Sequence, residues 1–324
     1  MALSERVHTL GQDLLARHGE RVHKIAIDAG FTCPNRDGSL GVGGCTFCNN
    51  RSFNPTGRCG SGEIVAAIPG GGKVRRARRP TTLLTQVAEA KRVIAQGTGA
   101  HKYLAYFQAY TNTYADVATL RRLYDEALAV PGVIGLSIGT RPDCVPAAVL
   151  DLLVEYQAAG HEVWLELGLQ SAFDATLRRV NRGHGWAAYE TAARAARVRG
   201  LPVCCHLILG LPGEDATHYQ TSLERVLNTG VDGIKLHPLH VVRHTVLAQQ
   251  WQRGEYTPLT QADYVRTAAD LIERTPWAVR YHRVTGTAPV DLLLAPAWVA
   301  RRWPVLNAIE AELAWRGTRQ GDFS

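Results

Sequence analysis

Three closely spaced cysteines are the residues most able to do chemistry in this sequence. Cys33, Cys45 and Cys48 lie in a glycine-rich segment that follows a short apolar run. Thiolates are soft ligands that select zinc, copper(I) or iron–sulfur clusters. Structural zinc sites and four-iron clusters usually take four protein ligands. Three cysteines without an obvious fourth therefore predict a metal group with one open corner, where a further ligand can bind.

The elements that must position these cysteines alternate between strands and helices. Apolar runs predict six strands, at residues 23–28, 102–107, 133–138, 162–167, 203–209 and 233–237. Helical patterns separate these runs, and this alternation predicts an α/β fold with a parallel sheet and right-handed crossovers. We also expect an amphipathic helix over residues 4–18, an edge strand within residues 277–284, and a helical tail over residues 297–315 that Pro304 interrupts.

The spacing Cys-x11-Cys-x2-Cys, with Phe47 before the last cysteine, resembles the cluster loop of radical S-adenosylmethionine (radical SAM) enzymes. The usual spacing in that superfamily is Cys-x3-Cys-x2-Cys, and the Elongator catalytic subunit also has a long first gap. Residues 28–38, 106–114 and 137–143 resemble the YhcC/YtqA-type family of bacterial radical enzymes. The likeness covers most of the chain, from about residue 24 to residue 298.

This resemblance implies a partial (β/α)6 parallel barrel of the radical SAM type. A short N-terminal helix (residues 1–20) would precede the barrel (21–284), and a C-terminal helical extension (285–324) would follow it. Cys33, Cys45 and Cys48 would bind a 4Fe–4S cluster whose fourth iron takes S-adenosylmethionine. An electron from a donor such as flavodoxin would cleave S-adenosylmethionine to a 5′-deoxyadenosyl radical, which abstracts hydrogen from a substrate.

The polar residues near the strand ends are the further candidates, because parallel barrels carry their active sites at the carboxyl ends of the strands. By resemblance, these segments would bind S-adenosylmethionine through its amino group (Gln108, Asn112), carboxylate (Arg141), ribose (Glu166, Gln170) and adenine (Gly210, Gly213, Phe47). A hydrogen-bonded turn is the alternative for the first pair. An ion pair with Asp143 or Glu166 is the alternative for Arg141, and a structural salt bridge is the alternative for Glu166. His237, His240 and Arg243 either face the substrate or are structural.

The substrate is the least determined part of the prediction. The formal net charge of +7 and a pI near 9.1 favour a polyanionic partner. The likeness to the Elongator subunit implies a tRNA wobble uridine, whose phosphates would suit the basic residues Lys73, Arg75, Arg76, Arg78 and Arg79. Three alternatives stay open. The first is that the basic run is a solvated loop and does not contact RNA. The second is that the enzyme acts on a small metabolite or a protein side chain. The third is that the protein is a non-catalytic zinc protein with a histidine or Cys59 as a further ligand.

The cellular compartment can also be predicted from the sequence. No apolar run reaches the roughly 18 residues of a membrane helix, and the N-terminus lacks the apolar core of a signal peptide. Seven cysteines are an odd number, which argues against a disulfide framework and for a reducing compartment. We therefore expect a cytoplasmic protein without a membrane partner.

Overall fold

The computed structural model describes residues 3–52 and 82–324. Its strands are β1 (Val22–Ile27), β2 (Lys102–Phe107), β3 (Val133–Thr140), β4 (Glu162–Gln170), β5 (Val203–Leu209), β6 (Gly233–Pro238), β7 (Val241–Val242), β8 (Arg280–Arg283) and β9 (Leu293–Ala295). Strands β1 to β6 and β8 form one seven-stranded sheet in chain order, and all neighbours pair in parallel. Strands β7 and β9 pair antiparallel outside this sheet.

The helices of the described residues are α1 (Leu3–Arg6), α2 (Leu10–His18), α3 (Leu83–Thr98), α4 (Val117–Leu128), α5 (Ala147–Ala158), α6 (Asp174–Arg179), α7 (Trp186–Val198), α8 (Ala216–Leu227), α9 (Val246–Gln252), α10 (Gln261–Glu273) and α11 (Arg302–Arg316). Helices α3, α4, α5, α7, α8 and α10 connect successive strands of the sheet, and their apolar faces pack against it in the main core. This curled half-barrel confirms the predicted α/β fold. Strand β8 is the predicted edge strand, and it is the seventh strand of the sheet.

Helix α2 closes the amino-terminal end of the half-barrel. Leu10 and Leu14 pack with Leu104, Trp164 and Cys204, which lie on β2, β4 and β5. The helix contacts both edge strands, β1 and β8. It therefore spans the gap that an open sheet leaves between its two edges.

The structure corrects two helix predictions. The segment predicted as one helix over residues 4–18 is two helices, because Thr9 caps α2 and forms a capping box with Gln12. The tail prediction was wrong about Pro304, which lies in the first turn of α11 and does not interrupt it. Backbone N–H groups in a first turn have no intrahelical partner, so proline is tolerated there.

Some sequence predictions fall outside the described residues, namely those on Cys59 and the basic run at residues 73–79. Among the helices that are described, none has the length and apolar character needed to cross a bilayer.

Candidate active site

A cavity of about 220 Å3 lies at the carboxyl ends of the strands. Every strand from β2 to β6, and β8, contributes to its wall through its last residues or those just after it. These wall residues include Gln108, Gly139, Thr140, Gly168, Gln170, Ile208, His237 and Arg283. The cavity is therefore placed where the sequence predicted the active site.

The three cysteines of the loop after β1 line one side of this cavity, together with Phe47. The loop folds back on itself, since the amide of Arg36 donates to Cys33 O at 2.8 Å and the amide of Gly44 donates to Asn35 O at 2.8 Å. Gly44 has a φ of +82°, and a Cβ there would lie 2.7 Å from Arg36 Nε. Only glycine fits this position without displacing the arginine.

Positive and polar groups surround the cysteine sulfurs. Arg182 Nη1 lies 3.6 Å from Cys45 Sγ, and Asn35 Nδ2 lies 3.9 Å from the same atom. Burial and, to a smaller extent, the neighbouring Cys45 raise the pKa of Cys48 to about 11. Buried thiolates therefore need a compensating cation, which a bound metal group supplies.

Polar residues of β2, β3 and β4 line the cavity beside the cysteines. Tyr110 and Gln170 have positive φ values of 64° and 82°, and such strained residues cluster at functional sites. Thr111 Oγ1 is buried and has no hydrogen-bond partner among the residues that the structure describes. Such an atom fits a cavity that normally holds a polar ligand. Of the predicted S-adenosylmethionine ligands, Phe47, Gln108, Arg141 and Gln170 are thus brought together here.

Arg141 lines the cavity but is already paired. Its Nη2 and Nε donate to the carboxylate of Asp143 at 2.7 and 3.0 Å, and its Nη1 donates to Arg182 O at 2.8 Å. The guanidinium fork is occupied, so this geometry favours the ion-pair alternative over a bidentate contact to the methionine carboxylate.

Asn112, Gly210 and Gly213 are not part of the cavity wall. Asn112 Nδ2 donates to Phe107 O and Gly139 O at 3.0 and 2.7 Å, so this side chain ties β2 to β3. The Gly210 amide donates to the Tyr219 hydroxyl at 3.0 Å, and Gly210 O accepts from the Tyr256 hydroxyl at 2.9 Å. The Asn112 Nδ2 group and the backbone of Gly210 thus already bond to protein, whereas Asn112 Oδ1 is buried without a partner among the described residues. The cofactor contacts expected of these three residues stay a prediction.

Glu166 is also outside the wall and lies fully buried beneath the cavity. Its carboxylate lies within hydrogen-bond distance of five side chains, on Lys24, Ser137, His206, Lys235 and His282. The expected contact to ribose is not supported, because both oxygens already have partners. The salt-bridge alternative fits this geometry.

The charges of this buried network determine the ionisation of Glu166. Burial alone would raise the pKa of this carboxyl group, but Lys235 and Lys24 hold it well below its usual value. Lys235 Nζ also donates to the Tyr106 hydroxyl at 2.9 Å, and Tyr106 lines the cavity. The network therefore links a buried charge cluster to the cavity floor.

Several residues at the site were not among the candidates from the sequence. Arg36, Tyr106, Arg182, His206 and Arg283 line the cavity, and Lys24 and Lys235 lie below it. A usable signal existed for the two lysines, because each interrupts an apolar run predicted as a buried parallel strand. No local pattern marked Arg182 or Arg283.

The half-barrel and its cysteine-lined cavity agree with the comparisons with known proteins. The profile of the Radical SAM superfamily matches residues 33–226, and that of the Radical_SAM C-terminal domain matches residues 231–314. This protein therefore belongs to the radical SAM superfamily and, within it, to the YhcC/YtqA family.

The relatives within this family match nearly the whole chain. The chain is 45% identical to protein YhcC of Escherichia coli (strain K12), over 98% of this chain and 96% of YhcC. It is 39% identical to the uncharacterized protein YtqA of Bacillus subtilis (strain 168), over 98% of this chain and 93% of YtqA. Both confirm the resemblance inferred from the motifs.

Two more distant comparisons concern a tRNA uridine(34) acetyltransferase and an archaeal Elp3 protein. The tRNA uridine(34) acetyltransferase of Dehalococcoides mccartyi is 32% identical over 50% of this chain and 35% of its own length. The structure of Methanocaldococcus infernus Elp3 with an N-terminal deletion aligns with a TM-score of 0.61 at 17% identity, over 92% of this chain and 64% of that chain. At this identity the structural match shows the fold alone.

The cofactors of this protein are a 4Fe–4S cluster and S-adenosylmethionine, as in its superfamily. The residues present fit both groups. The cysteine side offers soft thiolate donors, and the adjoining wall offers Gln108, Gln170 and the unpartnered Thr111 hydroxyl. This assignment favours an enzyme over a non-catalytic zinc protein.

Proposed function

We propose that this radical SAM enzyme acts on tRNA and abstracts a hydrogen atom from the side chain of a wobble uridine. The observation that carries the proposal is the 32% identity, over half of this chain, to a tRNA uridine(34) acetyltransferase. The match covers 35% of that enzyme. The proposal therefore includes the RNA substrate of that acetyltransferase and excludes its acetyl transfer. The formal charge of +7 also suits a polyanionic substrate.

In this proposal the residues of the cavity hold and shield the reacting groups. Cys33, Cys45 and Cys48 would bind the cluster, while Arg182 and Asn35 donate towards the Cys45 sulfur. When bound, the cluster supplies the electron that splits S-adenosylmethionine reductively.

The remaining wall residues would position S-adenosylmethionine beside the cluster. The amides of Gln108 and Gln170 would bind its polar groups, and the apolar Phe47 and Ile208 would pack against adenine. Exclusion of water from this enclosed space protects a reactive radical from side reactions.

Nucleoside mass spectrometry of tRNA tests the proposed substrate. A strain that lacks this gene should lose one wobble-uridine derivative and accumulate its precursor. Wild-type protein should restore the derivative, and the Cys45→Ala variant should not, because it lacks a cluster ligand. An unchanged tRNA nucleoside profile would remove RNA as the substrate and leave a small metabolite or a protein side chain.

The basic run at residues 73–79 can be tested separately. Neutralising Arg75, Arg76, Arg78 and Arg79 together should weaken tRNA binding. It should also flatten the salt dependence by about 0.7–0.9 log units of slope for each RNA phosphate that the variant no longer neutralises. The cleavage of S-adenosylmethionine should stay at the wild-type rate. If tRNA affinity and its salt dependence do not change, RNA binds elsewhere on the protein.

A further inference from the structure

The described wall of the cavity contains arginines but no acidic residue. Four arginines and no aspartate or glutamate line it within the described residues. Three of the arginines have partners: Arg36 donates to Cys48 O, Arg141 pairs with Asp143, and Arg182 donates to Gly168 O. Across residues 3–52 and 82–324 the guanidinium of the fourth, Arg283, has no hydrogen bond or ion pair, and its Nε is closed off from solvent.

A β-bulge brings Arg283 to this position. Ile234 pairs with Tyr281 and Lys235 pairs with Arg283, so His282 is an extra residue on β8. Tyr281 packs in the main core, His282 contacts Glu166, and Arg283 lines the cavity. Two consecutive residues thus face the interior, which a regular strand does not allow.

Within the described residues no acid forms an ion pair with Arg283, although Glu166 attracts it electrostatically. Three histidines line the cavity with it, at positions 206, 237 and 240. Burial lowers the pKa of His237 and His240, and the positive charge of Arg283 lowers both further. The acid below the cavity, Glu166, already pairs with two lysines. Arg283 is half-buried, and its Nε is closed off from solvent without a partner. Removing a cation from water without a partner is costly, so an anionic ligand is expected at this point.

We propose that Arg283 binds an oxyanion of the substrate, either a phosphate or a carboxylate, with His237 and His240 beside it. A guanidinium fork matches either group through two parallel hydrogen bonds. The inference rests on the proposed function in one respect. In the proposed function the cluster and S-adenosylmethionine would occupy the cysteine side, so the anion at Arg283 is assigned to the substrate. A tRNA phosphate and a carboxylate on a uridine side chain or a small metabolite share this chemistry.

Calorimetric titration of anions into the anaerobic holoenzyme tests the proposal. The enzyme is saturated with S-adenosylmethionine and titrated with inorganic phosphate and, separately, with malonate. Wild-type enzyme should bind at least one of these anions. Arg283→Gln should weaken that binding at least tenfold, whereas Arg283→Lys should keep part of it because the charge remains and the fork is lost. The better-bound anion indicates which oxyanion the substrate carries.

Arg243→Gln is the matched control, because Arg243 bonds the backbone of Asp291 and is not part of the cavity wall. It should bind anions as the wild type does. The proposal is overturned if wild-type enzyme binds neither anion or if Arg283→Gln binds them equally well. A thermal unfolding control shows whether Arg283→Gln folds. If it does not fold, the proposal is overturned when Arg283→Lys binds the anions with wild-type affinity.

Two further measurements on the same samples distinguish a failure of this inference from a failure of the proposed function. Iron–sulfur absorbance and 5′-deoxyadenosine formation report on the cluster and its chemistry. A wild-type protein that lacks both removes the proposed function and this inference together. A wild-type protein that has both, without anion binding that depends on Arg283, removes this inference alone.

Discussion

Glu166 illustrates how one carboxylate on an apolar strand has two chemically sensible interpretations. From the sequence it could accept hydrogen bonds from ribose hydroxyls or form a salt bridge. In the fold, Lys24 and Lys235 reach it from β1 and β6, and no part of it lines the cavity. Its role is therefore to fix the floor of the cavity.

We expect Glu166→Gln to destabilise the protein by about 3–5 kcal/mol, because two lysines then lose their buried counter-charge. The control is Glu155→Gln, which breaks the exposed pair with Arg121 and should cost far less, because solvent screens such a pair. The free energy of unfolding in urea measures both. Equal costs would contradict the buried ion-pair assignment.

The three cysteines of the loop are expected to hold the iron, and the other cysteines are not. Anaerobically reconstituted protein should contain about four irons per chain, as one cubane requires. Cys45→Ala should lose most of this iron. Cys144→Ala should keep it, although Cys144 is also buried near the loop and its pKa is raised to about 12 by burial and by Asp143. Comparable iron loss in both variants would mean that the ligands are wrongly assigned.

One buried face of helix α2 packs it against the end of the half-barrel. Leu14 is 2% exposed, and its neighbour Leu15 is 42% exposed. Leu14→Ala should cost about 2–5 kcal/mol because it leaves a cavity against Leu104 and Trp164.

The same substitution at Leu15 serves as the matched control. Leu15→Ala should change the free energy of unfolding by less than about 1 kcal/mol, since little buried apolar surface is removed. Urea unfolding of the two variants compares them directly. A similar loss of stability in both would mean that α2 does not close the barrel.

Buried histidines make the stability of the whole molecule sensitive to pH. Burial lowers the pKa of His206 to about 4, of His240 to about 4, and of His282 to about 3. Lys235 contributes to the lowered pKa of His206, and Lys24 and Lys235 contribute to that of His282, while Glu166 opposes the shift in both. These rings stay neutral in the folded protein under conditions where an unfolded chain, with histidine pKa values near 6.5, binds protons.

The protein should therefore lose stability as the pH falls below about 6.5, and the loss continues towards pH 4. Between pH 7.5 and 5.5 each such histidine should cost about 1 kcal/mol. Urea unfolding at several pH values measures this slope. His206→Gln should reduce the slope. A slope that is the same in the wild type and in His206→Gln would contradict the role of His206.

The sequence by itself determined the elements and the metal-binding loop. Strands β2 and β5 have the predicted bounds, because buried parallel strands are continuous apolar runs that local composition reveals. The cysteine loop also stood out in the sequence, because candidate ligands that lie close together in the chain are recognised by their spacing. The assignment of its three cysteines to the cluster stays a prediction. The partial parallel barrel then followed from the order of the elements and from the resemblance that the loop carries.

Tertiary structure alone decided which side chains face the cavity and which are already bonded. Glu166 meets Lys24 and Lys235 only because the sheet curls and brings β1, β4 and β6 together on its inner face. Arg283 reaches the cavity through a bulge that shifts the register by one residue. Such pairings join residues that lie far apart in the chain, and they depend on sheet register and curvature, which no local periodicity encodes.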